Sequence, residues 1–292
     1  MRTLITALLL AAASAPAPSG TAASQGAGAA SGGAEWLGPR PPATPRRVIS
    51  LAPSLTDTVV ALGKAKALVG VTRYDTAPEV AALPRVGGFL DPSPEAVVAL
   101  QPDLVLWMTD GAAFPVVKRI ASLGAPVLAI PIVGVADVLA AARIVGEALG
   151  DPAGGERLAR SLRDAVAAAR ERAAGRRPVR VLFVVGRDPL VVAGPGSYPD
   201  ELVRIAGGDD VVGGDRPWPV YSLERAIADD PALVIDGAIE EPVDGIHRLD
   251  AIPAVKRGSV YRLRDDTALR PGPRLVRALD ELGRALHGRV AR

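Results

Sequence analysis

SPEAVVALQPDLVL occupies residues 93–106, and a matching segment, SLERAIADDPALVI, occupies residues 222–235. Each segment has a serine, a glutamate two residues later, a short helical pattern, a proline and an apolar run. Serine is a favoured helix N-cap, and a short apolar run of this kind is typical of a buried strand. The matched positions are all 129 residues apart. An internal repeat of this kind predicts a fold built from two copies of one unit.

Further matches lie on both sides of these segments and keep the same order. The segment that begins at Ser54 corresponds to the segment that begins at Ser197, at an offset of 143 residues. The segment from Gly146 to Leu149 corresponds to the segment from Gly283 to Leu286, at an offset of 137 residues. The repeat therefore extends over both halves of the chain.

Strand and helix patterns alternate in both copies, which is typical of an α/β fold. Continuous apolar runs of four to eight residues suit parallel strands that are covered on both faces. Strands are predicted at residues 47–52, 67–72, 103–108, 127–130, 179–185, 232–236 and 259–263. Helices are predicted at residues 54–62, 94–100, 113–123, 137–149, 198–206, 223–228 and 274–286.

One long helix is predicted between the two copies. Leu158, Leu162 and Val166 belong to an apolar stripe with helical spacing over residues 152–174. Its length of about 23 residues corresponds to roughly 34 Å, which is long enough to brace both copies. A connector of this kind should restrict the lobes to a small opening motion, and clefts between lobes commonly bind small molecules. The sequence therefore predicts a ligand site in an interlobe cleft.

The N-terminus has the features of an export signal. Arg2 precedes the apolar run from Leu4 to Ala13, and small residues follow it, so we predict a signal peptide over residues 1–15 and a periplasmic protein. The apolar run is too short to span a bilayer, which takes about 20 residues. Residues 16–45 are dominated by Ala, Pro, Ser, Gly and Thr, which predicts a disordered linker. The remaining domains are predicted as an N-terminal lobe at 46–150, a connecting helix at 151–175 and a C-terminal lobe at 176–292.

Composition and motifs disfavour several classes of function. The net charge of +2 gives little long-range attraction to nucleic acid or to an acidic membrane surface. The chain has no cysteine and two histidines, which is too few for a typical zinc or manganese site, so we predict no bound metal. Common hydrolase, metalloprotease and phosphate-binding motifs are missing from the sequence. We therefore predict neither catalysis nor a cofactor, and no stable insertion into a membrane.

The two repeated glutamates, Glu95 and Glu224, allow two interpretations. Each falls in the first turn of a predicted helix, where a carboxylate is stabilised by the helix dipole by ~0.3–1 kcal/mol. The same acid on each lobe of a pseudo-symmetric molecule also suits a two-fold symmetric partner with a basic pocket on each subunit. The second interpretation predicts a dimeric docking partner.

Several segments together resemble a known family. They are PRVGGF at residues 84–89, SPE at 93–95, ALQPDLV at 99–105, PWP at 217–219 and SLE at 222–224. With these segments the chain is similar to the helical-backbone class of periplasmic substrate-binding proteins, which serve ABC importers of cobalamin, iron-siderophores and haem. The resemblance covers residues 46 to about 290 and is greatest to the cobalamin-binding members. It implies two Rossmann-like lobes joined by one long helix, with Glu95 and Glu224 docking on the permease dimer, which is coupled to an ATPase.

The resemblance also implies a set of ligand contacts. They are Tyr74, Phe89, Trp218, Asp266 and Arg270. Aromatic rings suit the broad, partly apolar face of a corrin, while a few polar groups orient its amide rim. The implied function is capture of cobalamin or a related corrinoid by a monomeric binding protein, with cobalamin as the cargo.

Two alternatives remain open at the level of sequence. An iron-siderophore or haem fits the same family, and convergent arginines such as Arg73, Arg187 and Arg270 would favour an anionic iron chelate. An exported enzyme on the same scaffold is the other alternative, and turnover of the bound molecule would identify it.

Overall fold

The computed structural model describes residues 33–109 and 113–288, and these residues form two compact units. The N-terminal unit contains residues 33–56 and 65–131 of the described chain, and the C-terminal unit contains residues 57–64 and 132–288. Residues 132–150, which the sequence patterns assign to the N-terminal lobe, therefore group with the C-terminal unit. The predicted signal peptide and residues 16–32 of the predicted linker lie outside the described residues.

The N-terminal unit is built on a five-stranded sheet in the order β1-β5-β4-β2-β3. Its strands are β1 (Glu35–Leu37), β2 (Val48–Ser50), β3 (Leu68–Gly70), β4 (Leu104–Met108) and β5 (Val127–Ile130). Its helices are α1 (Pro53–Ala61, whose second half belongs to the C-terminal unit), two short 3₁₀ turns (Ala65–Ala67 and Pro78–Val80), α2 (Pro94–Ala99) and α3 (Phe114–Ser122). All neighbouring strands are parallel except β1, which pairs antiparallel with β5.

Strand β1 corrects one prediction. Glu35, Trp36 and Leu37 pair with Ala129, Leu128 and Val127 along the edge of β5. The prediction of disorder over residues 16–45 is therefore wrong for this segment. The physical reason is that Trp36 and Leu37 interrupt the small polar composition with apolar surface, and the open edge of β5 supplies hydrogen-bond partners.

The C-terminal unit is built on a second sheet in the order β10-β9-β6-β7, with β8 also paired to β6. Its strands are β6 (Val179–Arg187), β7 (Leu190–Val192), β8 (Gly208–Asp210), β9 (Leu233–Asp236) and β10 (Val260–Arg262). Its helices are α4 (Val135–Ala148), α5 (Pro152–Ala173), α6 (Tyr198–Ile205), α7 (Leu223–Ala228), a 3₁₀ helix (Val243–Leu249), α8 (Pro253–Lys256), a 3₁₀ turn (Asp266–Leu269) and α9 (Leu275–His287).

The two sheets repeat one topology. The parallel order β5-β4-β2-β3 of the first sheet corresponds to β10-β9-β6-β8 of the second. Val48 pairs with Leu104 in the first sheet, and Val181 pairs with Leu233 in the second, so the residues that are 129 apart in sequence have equivalent partners. The predicted α/β fold with two repeated lobes is confirmed.

Backbone conformation repeats as well. Gln101 has φ +44° and Asp230 has φ +39°, and these two residues are again 129 apart. Each ends a helix and precedes a proline that leads into a strand. A left-handed residue other than glycine is uncommon, so its presence at the same position in both copies reflects one shared chain path.

The predicted long helix is confirmed as α5, with 22 residues. Asp151 caps its N-terminus by accepting a hydrogen bond from the Gly154 amide at 2.8 Å. A Cβ atom on Gly146 of α4 would lie 2.5 Å from the Cα atom of Gly155. These glycines therefore let α4 and α5 pack closely, which explains why α4 groups with the C-terminal unit.

Candidate functional site

Glu95 and Glu224 occupy equivalent positions in short helices. The Ser93 hydroxyl accepts a hydrogen bond from the Ala96 amide at 3.2 Å, and the Ser222 hydroxyl accepts one from the Arg225 amide at 3.1 Å. These caps begin α2 and α7 and place both glutamates in the first turn, exposed to solvent. Within the described part of the chain, neither carboxylate has an ion-pair partner closer than 4 Å. Both side chains are therefore available to a basic partner.

Tyr74 and Phe89 lie on two loops of the N-terminal unit that pack together. Arg73 pairs with Asp91 at 2.7 Å and also lies 5.7 Å from the centre of the Tyr74 ring. A Cβ atom on Gly88 would lie 3.1 Å from the Tyr74 ring, so the glycine permits this close approach. Tyr74 is half-buried, whereas Phe89 has only 5% of its surface exposed. Tyr74 therefore has the more accessible ring of the two.

Trp218 lies on an extended segment of the C-terminal unit beside β7. The amide of Gly194 donates to the Pro217 carbonyl at 2.9 Å, and the amide of Val192 donates to the Pro219 carbonyl at 3.3 Å. These bonds hold the Pro-Trp-Pro segment along the sheet edge, with the Trp218 side chain half-buried. Trp218 and Phe89 are 129 residues apart, so the repeat places an aromatic residue four positions before each capping serine.

Asp266 and Arg270 form an ion pair inside the C-terminal unit. Arg270 is largely buried, and one of its terminal nitrogens lies 3.9 Å from a carboxylate oxygen of Asp57. The other oxygen of Asp57 accepts a hydrogen bond from Arg274 at 2.6 Å. Burial lowers the pKa of Arg274, but the Asp57 carboxylate outweighs it, and the net shift is upward. The two predicted contacts thus belong to a four-residue charge network, of which Asp266 is the more exposed member.

Sequence reasoning missed a second buried charge network at the carboxyl end of the C-terminal sheet. Arg187 donates to both carboxylate oxygens of Asp236, at 3.2 and 2.6 Å, and Arg262 donates to one of them at 3.1 Å. The side chains of Arg187 and Asp236 are almost fully buried. Asp236 ends a predicted strand and Arg187 follows another, and charged residues at neighbouring strand ends are the signal that would have identified the pair.

The arginines that would favour an anionic ligand are all engaged by carboxylates. Arg73 pairs with Asp91, Arg187 with Asp236, and Arg270 with Asp266. Within the described residues, no cluster of three or more histidine, aspartate or glutamate side chains is arranged to hold a metal ion. No helix in the described ranges is both long and apolar enough to cross a membrane.

Comparisons with known proteins agree with this architecture. The sequence profile of the periplasmic binding protein family matches residues 48–267. The vitamin B12-binding protein of Salmonella paratyphi A (strain ATCC 9150 / SARB42) is 30% identical over 249 residues, which cover 82% of this chain and 90% of that protein.

Solved structures give the same result. A periplasmic heme binding protein from Pseudomonas aeruginosa is 26% identical with a TM-score of 0.75, over 84% of this chain and 94% of that one. The periplasmic vitamin B12 binding protein of Vibrio cholerae is 23% identical with a TM-score of 0.73, over 84% of this chain and 97% of that one, and supports the fold alone. The predicted class of function, a binding protein of an ABC importer, is confirmed. Because the family profile matches well over half of its residues, this chain belongs to the periplasmic binding protein family.

Proposed function

We propose that this protein binds cobalamin and delivers it to the permease dimer of an ABC importer with its ATPase. The observation that carries the proposal is the similarity to a vitamin B12-binding protein over four fifths of the chain. Engagement of Arg73, Arg187 and Arg270 by carboxylates also supports a ligand without a large negative charge. On this proposal the protein acts as an exported monomer without a cofactor and releases its ligand unchanged.

The proposed ligand contacts remain Tyr74, Phe89, Trp218, Asp266 and Arg270. Tyr74 and Trp218 are the half-buried rings in this set and are suited to cover the face of a corrin. Asp266 offers carboxylate oxygens that amide groups of the corrin rim can approach, while Arg270 keeps it oriented. Phe89 supports the loop beside Tyr74 and is expected to contribute less. The cleft predicted for the ligand stays a prediction.

A cobalamin titration tests this proposal. The chain has three tryptophans, so the wild-type protein and the variants Trp218→Phe and Trp36→Phe are titrated while fluorescence and visible absorption are recorded. We expect saturable quenching that Trp36→Phe preserves and Trp218→Phe largely removes. Saturable binding with equal quenching in both variants would contradict the role of Trp218 and leave the proposed ligand standing.

Haem is a second candidate because a heme binding protein shares 26% identity with this chain. The same titration with haemin distinguishes the two ligands through the Soret band. Tight haem binding without any cobalamin binding would overturn the proposed ligand. Chromatography of the ligand after incubation tests for turnover, and a chemically altered product would identify an enzyme.

A further inference from the structure

An open pocket of about 440 Å³ lies in the C-terminal unit at the ends of two helices. Its floor is made of small residues and Leu279, and charged side chains from three segments surround it. The charged and polar groups that line it are Arg172, Arg176, Asp280, Arg284 and His287. None of these residues belongs to the ligand or docking sets described above.

The charges around this pocket are unbalanced. Arg172 pairs with Asp280 at 2.9 Å, which uses the acid that lines the pocket. The side chains of Arg176 and Arg284 have no ion-pair or hydrogen-bond partner among the described residues and are exposed. His287 lies 2.9 Å from the Ala206 carbonyl, so its Nε2 atom donates a hydrogen bond and the ring is fixed. Two unpaired guanidinium groups therefore border the pocket.

The surrounding surface reinforces this charge. Residues 152–177, which contain α5, hold seven arginines and three carboxylates, a net charge of +4 in a chain whose total is +2. Excess positive charge along one segment raises the local concentration of anions. Compensation of the helix C-terminal dipoles explains one cation at each helix end, but it does not require a pocket between them.

Gly283 is an independent indication that the pocket is kept open. This glycine lies inside α9, where glycine is the least favourable residue after proline. A Cβ atom at this position would meet nothing within 4 Å, so packing does not demand glycine there. What the missing side chain provides is space in the pocket.

We propose that this pocket binds a phosphate ester through Arg176 and Arg284. Guanidinium groups bind phosphate oxygens with charge-assisted hydrogen bonds, and the pocket is within the usual size range for small organic ligands. The ester is either a soluble molecule or the headgroup of an anionic lipid, and both present the same phosphoryl group to the arginines.

Two kinds of variant test the site. Arg176→Gln with Arg284→Gln removes the charges, and Arg157→Gln with Arg160→Gln removes two exposed charges of the same helix that do not line the pocket. Gly283→Leu fills the pocket and leaves every charge in place. Circular dichroism and thermal unfolding verify that each variant is folded.

The probe for the soluble arm is sn-glycerol 3-phosphate, titrated by calorimetry at low ionic strength. We expect 1:1 binding that Arg176→Gln with Arg284→Gln weakens at least about tenfold, that Gly283→Leu abolishes, and that the control pair leaves within about twofold. For the lipid arm, co-sedimentation is measured with phosphatidylglycerol and phosphatidylcholine vesicles. Pocket-dependent binding to phosphatidylglycerol alone would assign the site to a headgroup.

Three outcomes would overturn the proposal. They are the absence of binding in both arms, equal weakening by the pocket and control pairs, and binding that Gly283→Leu leaves unchanged. The second outcome would mean that only diffuse charge attracts the anion. The first, together with reduced thermal stability of the arginine variant, would assign the arginines to compensation of the helix dipoles.

Discussion

Asp210 is a buried carboxyl group whose protonation should affect stability. It ends β8 with little exposed surface, and one oxygen accepts a hydrogen bond from the Val212 amide at 3.0 Å. Burial raises its pKa from 3.8 to about 7, the nearby Asp200 adds to the rise, and the Val212 amide opposes it. Between these two pH values the folded state binds more protons than the unfolded state. The free energy of unfolding therefore falls as pH rises from about 4 to 7, and the loss is then complete.

Replacing Asp210 should remove this pH dependence. Each pH unit between the two pKa values corresponds to on the order of 1.4 kcal/mol, so Asp210→Asn should gain stability relative to the wild type as pH rises from 4.5 to 7.5. The free energy of unfolding in urea, measured across this range, tests the prediction. The control is Asp209→Asn, because Asp209 is the exposed neighbour. Parallel pH curves for Asp210→Asn and the wild type would contradict it.

Asp236 should be among the most sensitive positions of the C-terminal unit. Asp236→Ala leaves the guanidinium of Arg187 buried without its principal partner, and breaking a buried pair in this way costs about 3–5 kcal/mol. Asp188→Ala is the matched control, since Asp188 pairs with Arg248 on the surface, where such a change costs within about 0.5 kcal/mol. Urea unfolding measures both. Equal losses from the two variants would show that burial does not determine the effect.

Among the elements, β1 has a role that truncation tests. A chain that begins at residue 39 lacks β1 and exposes the edge of β5, and an exposed edge strand promotes association between molecules. We expect lower thermal stability and concentration-dependent light scattering. A chain that begins at residue 33 keeps β1 and should match the full-length protein. Unchanged behaviour of the shorter chain would mean that β1 contributes no protection.

Long, patterned elements were predictable from the sequence, and short or polar ones were not. The predicted helices and strands are all present, with ends that differ by at most two residues. Strand β8 was missed because its sequence, Gly-Asp-Asp, is typical of a turn, and its pairing with β6 is determined by the backbone. Strand β7 was missed because it is only three residues long and follows β6 closely.

The candidate sites divide in the same way. Glu95 and Glu224 were predictable because the repeat marks them twice. The contact between Arg274 and Asp57 was not, because 217 residues separate them and no local pattern links them. Burial of Phe89 was likewise hidden, since it depends on how two loops of the N-terminal unit pack against each other.

For the whole molecule, the two glutamates predict a separation between binding and delivery. Glu95→Arg combined with Glu224→Arg should abolish uptake of the ligand and leave its affinity unchanged, because basic pockets of the permease would then face positive charges. The control is Glu79→Arg with Glu171→Arg, which reverses two other exposed acids, one in each unit. Transport into vesicles that contain the importer measures delivery, and calorimetry measures affinity. A parallel loss of affinity in the docking variant would contradict the assignment.

Gln101 and Asp230 also provide paired probes of cooperativity. Both adopt a left-handed conformation that costs a residue with a Cβ atom roughly 1 kcal/mol more than glycine. Gln101→Gly and Asp230→Gly should therefore relieve similar strain, one in each unit. If the protein melts in a single all-or-none transition, the two variants will raise the same midpoint by similar amounts. If the units melt independently, calorimetry will separate two transitions and each variant will move only its own. The duplicated chain path thus supplies an internal standard for deciding whether the two halves behave as one thermodynamic body.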